Sequence, residues 1–235
     1  MNLIGRVYAD QNSSAQVKRA LTACLARLQG NAIGLQVGSG ATRLHPSIIN
    51  TDLVFNPQLD CCARAESLPF ADESVLIIVS QETLEHVQGI SSAISEMYRV
   101  LRKDGTLYCQ VPFIIGYHPG PTDFWRFTRE GIREMFEQAG FIHEETGIAV
   151  GPCVGFYRIA VEFGAVLASR VMPQLYRPFK GLMALLLYPI KLLDPVMLGA
   201  PQVDRIPGGY YVIMRKSRTA QVCRSEIAIA ERAVN

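Results

Sequence analysis

The stretch Ser74-Val75-Leu76-Ile77-Ile78-Val79-Ser80 constrains this chain most. It is apolar and β-branched almost throughout, without the alternation of a strand that faces water on one side. It therefore reads as a strand buried on both faces of a parallel sheet. Parallel neighbours need crossovers, and the flanking sequence supplies them. Ile90, Ile94, Met97, Tyr98 and Leu101 recur at helical spacing, Lys103-Asp104-Gly105 makes a stop and turn, and residues 106–111 form the next strand, ended by Pro112. Upstream, Ala15, Val17, Leu21, Leu25 and Leu28 predict a helix over 14–29 closed by Gly30, followed by strands at 33–37 and 48–54. Downstream, Thr128 caps a helix over 128–139 with Ile132, Met135 and Phe136 inward and Gly140 at its end, and 141–150 and 209–214 are the last strands. Strands alternating with helices imply an α/β fold with a mostly parallel sheet, whose ligands bind at the carboxyl ends of the strands.

Val37-Gly38-Ser39-Gly40-Ala41 stands at such a strand end. Glycines there let a ligand approach the backbone and leave amides free to bind it, although an ordinary tight turn has the same pattern. Asp52 ends the next strand, where a carboxylate can accept both hydroxyls of a ribose or simply cap a helix, and Leu53 is placed to pack on an adenine face.

With these stretches in view, the sequence resembles the class I S-adenosylmethionine-dependent methyltransferases, in particular the branch labelled methyltransferase type 11. Six stretches carry the resemblance, in the family's order: residues 35–40, 50–53, 65–70, 80–87, 98–105 and 138–141. It covers about residues 33–145. The resemblance implies a Rossmann-like sheet of seven strands with the last antiparallel, and S-adenosyl-L-methionine as cofactor. By the same resemblance, Val37, Gly38, Ser39 and Gly40 line its methionine and ribose part, Asp52 takes the ribose hydroxyls and Leu53 flanks the adenine. Ala65 and Glu66 fall at the adenine edge, and Ser80 and Gln81 near the sulfonium. The chain departs from the family at Gln36, where an acidic residue is usual, and at Arg64, where an aspartate commonly binds the adenine amino group. Only residues 38–47 separate the glycine loop from the second strand, so the first crossover helix must be cut to a turn or less.

Methyl transfer is an in-line displacement, so positioning does most of the work, and a hydroxyl acceptor also needs a general base. The polar-aromatic loop at residues 116–128 offers His118 and Asp123, and His86 follows Glu85 after the fourth strand. Each has a structural alternative: a loop brace for His118, a cap or a salt bridge to Arg126 for Asp123, helix capping for His86. Trp125 and Phe127 read as packing rather than stacking on substrate. The position after the fourth strand holds Ser80-Gln81-Glu82-Thr83 rather than the Asn/Asp-Pro-Pro-aromatic run of amino-directed base methylases, and Pro152-Cys153 comes too late for a base C5 methylase. With a net charge of only +2, nucleic acid is not the expected acceptor. Six cysteines without a C-x-x-C pair make neither a zinc site nor a disulfide scaffold, so no metal is expected.

At 235 residues the chain is one domain with an elaboration. The expected division is a cofactor-binding core over 1–150, an apolar helical insertion over 151–205, a final core strand over 206–216 and a tail over 217–235. The mean hydropathy of +0.16 is raised partly by the uncharged run 181–190 between Lys180 and Lys191. Ten residues cannot span a bilayer, which takes about 20. Two readings stay open: a hairpin packed on the domain, or an interfacial segment over 179–198 flanked by Lys180, Lys191, Arg170 and Arg177. The N-terminus lacks the apolar stretch of a signal peptide, so the expected location is the cytoplasm, including the inner face of the membrane. The leading function is methyl transfer to a small-molecule, sugar or lipid-linked acceptor, with no reading of oligomeric state. A non-catalytic cofactor-binding or membrane-associated scaffold is the alternative. A nicotinamide-dependent oxidoreductase is disfavoured, because Gly38-Ser39-Gly40-Ala41-Thr42-Arg43 lacks a third glycine.

Overall fold

The apolar run forms the central strand of a seven-stranded sheet in the computed structural model, which describes residues 14–120 and 122–217. The N-terminal stretch 1–13 of the expected core, the tail from 218 and Cys223 lie outside the described residues. The strands are β1 Gly34–Val37, β2 Ile48–Asp52, β3 Cys61–Cys62, β4 Val75–Gln81, β5 Leu101–Pro112, β6 Phe141–Val150 and β7 Gly209–Lys216. Their order is β3-β2-β1-β4-β5-β7-β6, parallel except for β7, which runs antiparallel to both neighbours. This is the Rossmann-like arrangement that the resemblance implied.

Burial on both faces explains the composition of β4. Ile78 packs on one side with Ile94 and Met97 of α2 (Ile90–Val100) and Phe136 of α3 (Arg129–Gln138). Ile77 and Val79 pack on the other with Val17, Ala20 and Cys24 of α1 (Ala15–Leu25). The caps are those read from the sequence: the Thr128 side chain accepts from Gly131 N, and Gly140 follows α3 at φ 98°.

Two local expectations change. The turn at Lys103-Asp104-Gly105 sits inside β5 rather than before it. Pairing steps from Val75 with Leu101 to Ile77 with Thr106, and Asp104 at φ 59° turns the surplus residues out as a bulge. The second strand ends at Asp52, leaving Leu53 and Val54 in the loop. As expected, residues 38–47 hold no helix. Arg43 closes that loop by donating to Ile48 O at 2.8 Å, to Gln58 O at 3.0 Å and to the Asp60 carboxylate.

Between β6 and β7 come α4 (Pro152–Ser169), α5 (Tyr176–Lys191) and the short α6 (Asp194–Met197). Helices α4 and α5 pack through Tyr157, Val161 and Ala184, and Tyr157 donates its hydroxyl to Ala184 O at 3.0 Å. Their outer face is apolar: Phe156, Phe163, Val166 and Leu167 on α4, and Leu182, Leu185 and Leu186 on α5, are all exposed. The apolar surface therefore extends well beyond the 181–190 run onto α4. Among the described residues α4 is the one helix long and apolar enough to cross a membrane by length and composition, a test that core helices also pass.

Candidate active site

Without a helix between β1 and β2, the glycine loop has to turn straight back onto β2, and its amides are used in doing so. Gly38 N and Ser39 N donate to Thr51 O at 2.9 and 3.0 Å, and Gly40 N donates to Asp52 Oδ2 at 2.8 Å. The expectation that this loop leaves its amides free is thus corrected. Asp52 Oδ1 also accepts from Val54 N at 3.0 Å, so the carboxylate is oriented at the strand end before any ligand arrives.

A cleft of about 370 Å³ opens here. Val37, Gly38, Ser39 and Gly40 form one side, Asp52, Leu53 and Ala65 another, and Gln81 and His86 the floor and far wall. Leu53 and Val54 stand 53% and 61% exposed at the rim, apolar surface that a bound planar group would cover. Two expected residues lie elsewhere. Ser80 is fully buried within the sheet, paired with Val37 and Cys109, because alternation along β4 turns it away from the cleft that Gln81 faces. Glu66 is not in the lining, and its carboxylate accepts from Arg64 at 3.0 Å. Gln36, at the family's acidic position, is buried with Oε1 lacking a hydrogen bond among the described residues.

The far wall is a turn that sequence reading underestimated. Rather than beginning a helix, residue 82 takes φ 51°, and Leu84–His86 form a single 3-10 turn. Glu82 and Thr83 join the cleft lining. Burial, and then the neighbouring Glu85 carboxylate, pushes the Glu82 carboxyl up, while Gln110 Nε2 donates to it at 3.0 Å. Glu85 is wholly buried, and neither of its oxygens accepts a hydrogen bond among the described residues.

The loop after β5 is stitched to this turn. Phe124 N donates to Glu85 O at 2.7 Å, Trp125 Nε1 donates to Val87 O at 2.9 Å, and His86 Nδ1 bonds Thr122 O. Phe127 is core, as expected, whereas Trp125 is 40% exposed and is fixed by that bond rather than by packing. The stitching sets the His118 ring 5.3 Å from the His86 ring, and both imidazoles face Glu85. Glu85 raises the His118 pKa, assisted by Gly116 O and Asp123, against burial and Arg126. Asp123 is not placed to take a proton. Arg126 grips both its oxygens at 2.6 and 2.7 Å and holds the carboxyl far below the usual range. Asp123 in turn accepts from His118 N at 2.9 Å, which makes it a positioning residue for the loop.

His118 also lines a second cavity, of about 540 Å³, between residues 115–119 and the helical insertion. Its other walls are mixed: Arg158, Glu162, Tyr176 and Lys180 bring polar groups, beside Val161 and the ring of Tyr157. Lys180 pairs with Glu162, and Tyr176 donates to the same carboxylate at 2.6 Å. Lys191 lies over the Tyr157 and Tyr188 rings at 5.3 and 5.7 Å. Of the four expected flanking cations, two thus engage partners within the insertion, while Arg170 and Arg177 are exposed around the α4–α5 turn.

Residues 20–109 match the family model described as a methyltransferase domain. A probable S-adenosylmethionine-dependent methyltransferase of Mycolicibacterium smegmatis is 32% identical over 85 residues, 34% of this chain and 33% of that protein. The chain thus spans about a third of the length of that curated relative. Among solved structures, the Burkholderia thailandensis 1,6-didemethyltoxoflavin N1-methyltransferase, which holds its substrate and S-adenosylhomocysteine, superposes with a TM-score of 0.54. It shares 13% identity over 87% of this chain and 80% of that one. The [4+2]-cyclase SpnF superposes with a TM-score of 0.51 at 17% identity, over 89% of this chain and 85% of that one. These likenesses share the fold, and the second shows that the fold alone does not settle the reaction.

Proposed function

We propose that this chain, whose residues 20–109 match a methyltransferase-domain model, is a class I S-adenosylmethionine-dependent enzyme that moves a methyl group to a small-molecule, sugar or lipid-linked acceptor. The observation that carries the reading is the placement of the two histidines. His86 faces the cleft and His118 the second cavity, with their rings 5.3 Å apart. Donor and acceptor compartments so arranged bring two reactants together, which is the main requirement of an in-line displacement.

The cleft fits S-adenosylmethionine: an oriented carboxylate at Asp52, an apolar rim at Leu53 and Val54, and small side chains at Ala63 and Ala65. When bound, that group supplies an electrophilic methyl on a sulfonium. Asp52 accepts the ribose hydroxyls, Leu53 covers the adenine, and Gly38, Ser39 and Gly40 line the side toward the methionine. Arg64 leaves no side-chain carboxylate at the adenine edge, so shape and backbone read the base there. On the acceptor side, His118 is the group placed to hold or take a proton, positioned through Asp123 and Arg126. The mixed lining of the second cavity, with Arg158, Glu162 and Lys180 beside Ile115, Val161 and Tyr157, favours an acceptor that carries both a polar group and an apolar body.

Calorimetry with S-adenosylmethionine, S-adenosylhomocysteine and NAD tests the assignment. Heat with the first two and none with NAD is expected; silence with the first two overturns it. Asp52→Ala should weaken cofactor binding about ten- to a hundredfold, the contribution of charge-assisted hydrogen bonds, and should lower the ligand-free unfolding temperature slightly, since Gly40 N and Val54 N lose their acceptor at the surface. Product analysis then separates methyl transfer from the cyclase-type chemistry and the scaffold reading that the fold also accommodates.

The exposed apolar face of α4 and α5 supports a cytoplasmic enzyme held at the inner face of the membrane, lying on the bilayer rather than spanning it, with Arg170 and Arg177 toward lipid headgroups. Large apolar side chains contribute about 1.5–3 kcal/mol each when fully buried. The double variant Phe163→Asp with Leu186→Asp should therefore lose about a hundredfold in partitioning onto anionic liposomes in flotation. Wild-type protein that stays at the bottom of the gradient overturns the membrane reading and leaves the cleft unaffected.

A further inference from the structure

Glu85 presents a problem that the functional reading does not resolve. It is 0% exposed, yet neither carboxylate oxygen accepts a hydrogen bond among the described residues. A buried carboxylate in that condition is costly unless a cation or several donors serve it. What faces it is a pair of imidazole nitrogens: His86 Nε2 at 3.7 Å and His118 Nε2 at 3.8 Å from the same oxygen. One ligand atom from each of the three residues lies within 4.8 Å of the others.

The opposite edges of the two rings indicate what those nitrogens carry. His86 Nδ1 bonds the carbonyl oxygen of Thr122, and His118 Nδ1 bonds that of Gly116 at 3.0 Å. A carbonyl only accepts, so each Nδ1 bears the hydrogen. Arg126 Nη2 also approaches His118 Nδ1, at 3.4 Å, but it already donates to Gly116 O at 2.9 Å and to Asp123 at 2.7 Å. In the neutral imidazoles both Nε2 atoms then offer lone pairs to a carboxylate that offers lone pairs back. Three acceptors converging on one point is a repulsive arrangement unless a cation sits between them. The separations agree: a direct N–H to oxygen bond would bring the atoms to about 2.7–3.2 Å. Donors on one first-row ion at about 2.0–2.1 Å stand roughly 3.3 Å apart at tetrahedral angles, a few tenths short of what is seen. Ligating histidines commonly donate their other N–H to a backbone carbonyl, as both do here.

We propose that Glu85, His86 and His118 form a binding site for one divalent transition-metal cation of the zinc class. Two imidazoles and a carboxylate suit zinc, cobalt, manganese or iron(II), and disfavour magnesium and calcium, which take oxygen ligands. Three protein ligands leave a coordination position open. With His86 on the cleft and His118 on the second cavity, that position lies between the two compartments, where a Lewis acid would meet an acceptor oxygen. The site does not depend on the methyltransferase reading, since it is a property of three side chains and is tested without either substrate; with the ion bound, both His118 nitrogens are engaged, and the open metal position rather than His118 would serve an acceptor oxygen.

The test uses the full chain stripped with a chelator, then titrated with zinc chloride by calorimetry and, separately, with cobalt chloride by visible absorption. One equivalent of zinc, with d–d bands from cobalt that zinc abolishes, is expected. Glu85→Gln, close in size and uncharged, and His118→Gln should each weaken zinc binding at least a hundredfold. Magnesium at the same concentration should give no heat. Wild-type protein that binds neither zinc nor cobalt, or affinities unchanged in both variants, overturns the site. A Glu85→Gln protein that is more stable than wild type while wild type binds no metal overturns it as well, and assigns the cluster to protonated imidazoles paired with the carboxylate.

Discussion

Gly38→Ala is expected to abolish cofactor binding in calorimetry and to lower stability by about 2–4 kcal/mol in urea unfolding, as the sum of two separate costs. The first is backbone strain, since Gly38 sits at φ 71°, in the left-handed region that side chains with a Cβ avoid. The second is a collision. A Cβ at Gly38 would lie 2.7 Å from Thr83 Cβ and closer still to the outer atoms of that side chain. Thr83 has little freedom to retreat, because its Oγ1 is 3.1 Å from Gln81 O, 3.2 Å from Val37 O and 3.4 Å from Gly38 O. The clash would push the loop and the 82–87 turn apart, and these are two walls of the same cleft. Gly40→Ala is the control. Gly40 has a similar φ of 52°, but a Cβ there meets nothing within 4 Å, so only the strain of about 1 kcal/mol remains. Equal effects of the two substitutions would show that contact with Thr83 does not matter.

Gly38 also marks the limit of what could be read without coordinates. The glycine at a strand end was legible, and so was its place in a cleft. Its reason was not, because Thr83 is far away in sequence and reaches it only through the pairing of β1 with β4. The same holds along β4. The continuous apolar run announced a strand buried on both faces, and Ile77, Ile78 and Val79 are divided between two core layers. Parity at its end was not legible. A strand buried on both faces has no alternation to show which of Ser80 and Gln81 faces the cleft, and the residue that does not is fully buried.

Local signals carried the helices, where Thr128 and Gly140 act within one turn of their own sequence. Signals that depend on the path of a loop were carried poorly. His118 and His86 were each visible as titratable groups near strand ends, but their meeting over Glu85 requires the loop at 113–128 to be laced to the 82–87 turn by Phe124 N, Trp125 Nε1 and His86 Nδ1, each on a main-chain carbonyl whose position no sequence pattern encodes. In the insertion, the uncharged run at 181–190 drew attention because nothing charged interrupts it. Helix α4 presents as much apolar surface, yet Arg158 and Glu162 interrupt its sequence while turning inward to the second cavity. A hydropathy run averages the faces of a helix, whereas exposure belongs to one face.

Arg126→Ala should be the most destabilising single polar change at the site, at about 3–5 kcal/mol, because it strands a buried charge. Asp123 has a side chain only 1% exposed, and Arg126 holds both its oxygens. The same guanidinium donates to Ile115 O at 3.0 Å, Gly116 O at 2.9 Å and Trp125 O at 2.7 Å, so the loop that presents His118 loses its clasp together with the charge. Arg126→Lys keeps the charge but not the fork, and should recover less than half of the loss. Replacing both partners, Asp123→Leu with Arg126→Met, should cost less than Arg126→Ala alone, because no unpaired charge remains. The effect has a defined pH dependence. Arg126 holds the Asp123 carboxyl well below its unfolded value of about 3.9, so the pair's stabilisation is complete above that pH and is lost as the pH falls through the lower folded value. The stability gap between wild type and Arg126→Ala, read from urea unfolding, should thus hold level from pH 8 to pH 5 and narrow below about pH 4. A gap that instead widens on acidification would mean that Asp123 enters the folded state protonated and that Arg126 acts through the loop carbonyls alone.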